Sequence, residues 1–269
     1  EPQYQYADLA YTQRTRLDAD ALQAQERYWQ LKLADLPPLL ELPYDRPRPA
    51  AQSFASGVHV FEIPQPLVRP LIELGGRSGC SLFMTMLAVF NLLLARHSGR
   101  DRIPVASPIS FRNRPELENI IGPCFNTVVL CNRVDPQQRW PDYAALVRDT
   151  VLEAFSHQDL PFGRVIAAVK PTRSLAHEAI AQVSFNLKLS ESPAASSSQD
   201  AADRDASYDT SMKGAKGGDI YDLTLNLFKD DSGLHAYFTY SSALFDAATK
   251  FESGTGWPSF YQPVAPGAV

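Results

Sequence analysis

The 269 residues, 45% of them apolar, can bury a substantial core as one large or two small domains, which excludes a mini-protein held together by staples. Lys and Arg total 25 against 30 Asp and Glu, a net charge of −5 with no basic stripe, so nucleic acid is not an expected partner. Cys80, Cys124 and Cys131 form neither a Cys-x-x-Cys pair nor an even framework, which points to a reducing, cytoplasmic setting without structural zinc or disulfides.

The chain opens on Glu1-Pro2-Gln3 with no charged or apolar leader, and reads as cut from something longer. Residues 4–35 are expected to be helical, with Leu22, Tyr28, Trp29 and Leu33 near one face. Pro37-Pro38 stops that helix, and the prolines of residues 39–53 predict an extended connector. A strand over 58–63 and helices over 66–77 and 81–97 follow, the last capped by Ser81 and apolar enough to be buried on all sides. Its apolar run, broken by Thr85 and Asn91, falls short of the ~18–20 residues that cross a bilayer, so no membrane partner is expected.

β-Branched and aromatic residues predict strands over 103–109 and 120–134, and the pattern of 142–155 predicts an amphipathic helix. Asp159 is expected to cap a further helix starting near Pro161. Residues 179–189 alternate as a strand does, Val183, Phe185, Leu187 and Leu189 pointing one way. Residues 190–218, rich in serine, alanine and charge, predict a flexible, solvated excursion. Leu223, Leu225 and Leu227, a turn at 230–233, and Leu234, Ala236, Phe238 and Tyr240 form an antiparallel hairpin. The sum is a layered α/β or α+β domain with a mixed sheet flanked by helices, without internal repeats.

Few residues suggest chemistry on their own. His97 and Asp101 match His-x-x-x-Asp, a base with its orienting carboxylate, but His97 also suits the C-terminal end of a helix, the stronger reading. His157-Gln158-Asp159-Leu160-Pro161-Phe162 is either a helix cap or a loop over a tunnel. Arg112, just after a strand, is either a surface group or a bidentate holder of a carboxylate. His59, His177 and His235 default to structural or surface roles. There is no phosphate loop, no Gly-x-Ser-x-Gly and no metal-ligand spacing.

Five segments in order resemble the condensation domain of nonribosomal peptide synthetases: Gln5-Tyr6-Ala7-Asp8-Leu9-Ala10; Leu40-Glu41-Leu42-Pro43-Tyr44-Asp45-Arg46-Pro47-Arg48-Pro49; Ile121-Gly122-Pro123-Cys124-Phe125-Asn126-Thr127; His157 to Phe162; and Tyr221-Asp222-Leu223-Thr224-Leu225. The resemblance implies a chloramphenicol-acetyltransferase-like fold, two α/β subdomains in a V with a tunnel between them. Phosphopantetheine arms of carrier proteins enter that tunnel as substrates, no cofactor is bound directly, and an acceptor amine attacks a donor thioester. The family's His-His-x-x-x-Asp-Gly motif lies in its N-terminal subdomain and is not in this sequence, so the fragment is expected to be inactive alone. The rival is a carrier-protein or partner binding module of the same fold.

By the same resemblance, Arg112 pairs with the aspartate of that motif, although Phe111 stands where the family has glycine. Asn126, His157, Gln158 and Asp159 lie near the tunnel and its bridging loops. The implied organisation is a helical segment and connector over 1–54 leading from the N-terminal subdomain, then a C-terminal subdomain over 55–249 interrupted by 190–218. Residues 250–269 are a tail similar to methionine-R-sulfoxide reductase of the B type, in which Trp257 would line the pocket for the substrate methyl. No cysteine follows Cys131 to act as that enzyme's nucleophile, so a reductase reading rests on the tail alone.

Overall fold

The computed structural model describes residues 4–16, 18–112, 115–189, 219–229, 233–246, 250–252 and 258–260. The proposed excursion at 190–218, the turn at 230–232 and Trp257 lie outside the described residues.

Where one N-terminal helix is predicted, two form: α1 (Tyr6–Arg16) and α2 (Ala19–Lys32). Asp18 causes the break, because its carboxylate accepts a hydrogen bond from the Ala21 amide at 2.8 Å while its own backbone is extended. A carboxylate stabilises a first helical turn more than it stabilises a helix interior. On α2 the expected face is correct: Trp29 and Leu33 are buried, and Leu22 and Tyr28 pack beside them.

After the extended connector come β1 (Ser56–Glu62), α3 (Gln65–Arg77) and α4 (Leu82–Ser98). The Ser81 hydroxyl caps α4 by accepting from the Met84 amide, and Gly99, at φ 66°, closes its C-terminus in the left-handed region. The expectation of burial on every face needs correction, since Leu92 stays exposed. Phe83 and Phe90 of α4 meet Phe185, and Phe90 also meets Phe238, so aromatic contacts tie this helix to the sheet.

The remaining elements are β2 (Arg102–Ser110), the short α5 (Pro115–Glu118), β3 (Phe125–Arg133), α6 (Trp140–Ser156), α7 (Phe162–Val169), β4 (Val183–Leu189), β5 (Leu223–Lys229), β6 (Leu234–Ser241), β7 (Lys250–Glu252) and β8 (Pro258–Phe260). The main sheet runs β1-β6-β5-β4-β2-β3, with β4 parallel to both β2 and β5 and the other pairs antiparallel. The β5–β6 pair is the predicted hairpin, with Leu225 opposite Phe238. Two strand predictions are amended. β3 starts at Phe125, because residues 119–124 form a loop instead. In β4, Val183, Ser184 and Phe185 are all buried while Leu189 is exposed, since the strand's first half is mid-sheet and covered on both faces.

Four phenols, those of Tyr28, Tyr44, Tyr143 and Tyr221, are pushed well above the usual tyrosine range, chiefly by burial. The folded form therefore holds these protons more tightly than the unfolded chain, whose tyrosines release theirs near pH ~10. Stability from these groups is complete below that value and is lost as pH climbs past it. In an alkaline titration, phenolate absorbance from the buried tyrosines is expected to rise together with loss of the circular dichroism signal. Phenolate forming in full on a still-folded chain would contradict this.

Candidate functional site

The segment 157–162 joins α6 to α7, and its backbone is tied down from two elements, β3 and α2. Asn126, buried on β3, donates through its amide nitrogen to the carbonyls of Gln158 and Leu160, both at 2.8 Å, and accepts from the Phe162 amide at 3.1 Å. From α2, the Gln25 side chain accepts from the Leu160 amide at 2.9 Å, and the Trp29 indole donates to the His157 carbonyl at 3.1 Å. The His157 ring stacks on Tyr28, centroids 3.7 Å apart, while its Nδ1 lies 2.8 Å from the Glu153 carbonyl. A carbonyl can only accept, so Nδ1 carries the proton.

This corrects the capping expectation. Pro161 is the N-cap of α7 without a side-chain bond, and the carboxamide of Asn126, not the Asp159 carboxylate, satisfies the Phe162 amide. Asp159 is exposed, and Gln158 is half-buried. The structure thus brings Asn126, His157 and Gln158 into one hydrogen-bonded unit with Asp159 on its rim.

Arg112 follows the end of β2, where Ile109 stands opposite Asn126 of β3. Its guanidinium donates to the carbonyls of Ile120 and Gly122 at 3.1 and 3.0 Å, which holds the loop before β3 closed. Among the described residues it has no carboxylate within ion-pair distance. Below it, Leu9 of α1, Ile120 and Cys124 form a small apolar cluster of their own, and Tyr6 packs on Gly122.

His97 is in the last turn of α4, as the helix-end reading expects. Its suggested partner Asp101 is taken by Arg133 at 2.9 Å, which lowers the Asp101 carboxyl below its usual range; burial and Arg96 lower the His97 imidazole. His97 borders an apolar cavity of about 60 Å³ lined by Leu94, Phe238 and Phe245, among others. Among the described residues, no three His, Cys, Asp or Glu side chains gather as a metal site.

A second polar centre escapes a sequence reading. Asp222, 1% exposed and immediately before β5, receives both terminal nitrogens of Arg48, and the Tyr44 hydroxyl donates to it at 3.0 Å. Arg48 also donates to the Ala176 carbonyl and lies over the Tyr44 ring. The proline-rich connector is thereby fixed to the sheet, and Gln182 adds a bond from the Leu40 amide. Asp222 and Arg48 are 174 positions apart, so only the motif strings that contain them could have signalled the pair.

A family model described as the condensation domain matches residues 1–252. Phosphinothricin tripeptide synthetase PhsC of Streptomyces viridochromogenes is 38% identical over 247 residues, which cover 91% of this chain and 22% of that protein. Malpinin synthetase of Mortierella alpina is 36% identical over 246 residues, 91% of this chain and 3% of that one. Among solved structures, the complex of the X-domain and OxyB from teicoplanin biosynthesis superimposes with TM-score 0.76 at 20% identity, over 92% of this chain and 55% of that chain. The condensation domain of the monacolin K polyketide synthase MokA gives 0.73 at 18% identity, over 91% and 57%. The mixed six-stranded sheet flanked by helices is the fold these chains share. The chain spans a small share of its curated relatives and little more than half of these solved chains.

Proposed function

The chain belongs to the condensation-domain family, and from that premise we propose that it supplies one half of a catalyst that joins carrier-protein-bound aminoacyl or peptidyl thioesters. In that reaction the acceptor amine attacks the donor thioester carbon, the amide bond forms, the carbon–sulfur bond breaks, and the phosphopantetheine thiol leaves with a proton. The observation that supports this reading is the unit in which Asn126 fixes the 157–162 loop, on the strand that pairs with the β2 end leading to Arg112. Such a unit presents Gln158 and Asp159 on a rigid backbone, as positioning of two long thioester arms requires.

No two of the chain's five histidines are adjacent, so the His-His-x-x-x-Asp-Gly base is to come from a segment outside these residues, with its aspartate as the partner of Arg112. Residues 250–269 are proposed as a segment of separate origin, a reading supported by the family match ending at residue 252. The test is a condensation assay with two loaded carrier proteins, read by mass spectrometry of the released product. The purified chain is expected to give none, and to give product once a histidine-bearing N-terminal portion is restored. Product from the chain alone would overturn the proposal. Carrier binding without product after restoration would favour the binding-module reading.

A further inference from the structure

At one edge of the main sheet, β1 is paired on one side only. Its register with β6 runs unbroken from Ser56 opposite Ser241 to Glu62 opposite His235, and among the described residues no strand lies on its other side. The bonds just beyond its two ends fix which groups face outward: the Ser242 amide donates to the Ala55 carbonyl at 3.0 Å, and the Ile63 amide to the Leu234 carbonyl at 3.3 Å. Odd-numbered residues therefore bond inward to β6, and the N–H and C=O groups of Val58, Val60 and Glu62 point outward. Sheet edges are commonly blunted by a proline, a lysine, a bulge or a very short strand. β1 has seven residues and none of these devices, and Val60 is 52% exposed.

We propose that β1 pairs antiparallel with β1 of a second copy of the chain about a two-fold axis at His59, so that the two main sheets become one. This dimer does not depend on the function proposed above. The strand's own sequence selects the occupant. Because outward groups alternate, only registers that set even-numbered residues against even-numbered ones close hydrogen bonds, and of these the one centred on His59 overlaps all seven residues. It places Val58 of each copy opposite Val60 of the other, which gathers the valines of both copies on one face and covers the exposed Val60. Glu62, the strand's only carboxylate, comes opposite Ser56 and not opposite itself, so like charges do not meet. The contact is one strand wide, and a weak, reversible dimer is expected.

Sedimentation equilibrium of the chain tests this. The weight-average mass is expected to rise from 29.8 kDa toward twice that value as the concentration is raised to about 0.5 mM. Val60→Pro removes only an outward N–H, and Val60→Lys puts a charge on the edge. Both are expected to keep the fold by circular dichroism and to raise the Kd of the dimer at least about tenfold. Leu175→Lys, at a site 81% exposed elsewhere, is expected to leave the Kd unchanged. Cysteine substitution reads the register, since the three native thiols are buried. Residues facing each other on the axis have α-carbons ~4.5 Å apart, within disulfide reach. His59→Cys is therefore expected to cross-link to itself under mild oxidation, and Val58→Cys only when mixed with Val60→Cys. A mass that stays at 29.8 kDa at every concentration overturns the proposal. So does a dimer that the Val60 variants leave intact, or one in which Val58→Cys cross-links to itself and His59→Cys does not.

Discussion

Asp222→Ala is expected to lower the stability of the chain by about 3–5 kcal/mol, read as a lower urea midpoint, because it leaves the Arg48 guanidinium in a site built for an ion pair. The side chains of Arg48 and Asp222 are 15% and 2% exposed, so water cannot take the place of the lost carboxylate as it would at the surface. Arg48→Met should cost a similar amount from the other side, through an unpaired buried carboxylate. The double variant Arg48→Met with Asp222→Leu is expected to lose less than either single change. It removes both charges, and the Tyr44 hydroxyl still has the Leu40 carbonyl at 3.1 Å. Additive losses would show that the connector is held by packing, not by this pair.

The elements legible in the sequence are those whose signal is local. Ser81 stands directly before an apolar run, and the leucines of β5 alternate within the strand they define. Most of the errors come from a partner that lies outside the local pattern. Asp159 has the right type and spacing for a cap, yet the Phe162 amide bonds to Asn126, 36 positions earlier. β3 reads too long because the residues before it are β-formers, but the Arg112 guanidinium binds the Ile120 and Gly122 carbonyls and keeps that stretch in a loop. Asp18 is the exception: its cap is local, and a helical pattern on both sides conceals it.

The family-like strings succeed where single residues do not, and the structure supplies a physical reason. They pair off as tertiary contacts. Tyr6 and Leu9 of the first string meet Gly122 and Cys124 of the third; Asn126 of the third holds the loop of the fourth; Tyr44 and Arg48 of the second hold Asp222 of the fifth. A residue in such a string is constrained by its distant partner as much as by its neighbours, and that constraint is invisible to periodicity.

Asn126→Ala is the corresponding test at the candidate site. The three bonds of the carboxamide allow one orientation only, since its nitrogen faces two carbonyls and its oxygen an amide. Truncation leaves the Leu160 carbonyl and Phe162 amide unmatched at a buried point, at ~1–3 kcal/mol for each group before relaxation, so a net loss of about 2–4 kcal/mol is expected. Amide hydrogen exchange should speed up over residues 158–166 and stay unchanged in β5 and β6. Asn126→Asp, nearly the same shape, is expected to be worse at neutral pH, because a carboxylate offers no donor and sets a negative oxygen against two carbonyls. That environment raises the introduced carboxyl's folded pKa, so its deficit should shrink as pH falls and the group takes up a proton it can donate. An aspartate variant that matches the alanine variant at every pH would mean that Asn126 fills space and does not fasten the loop.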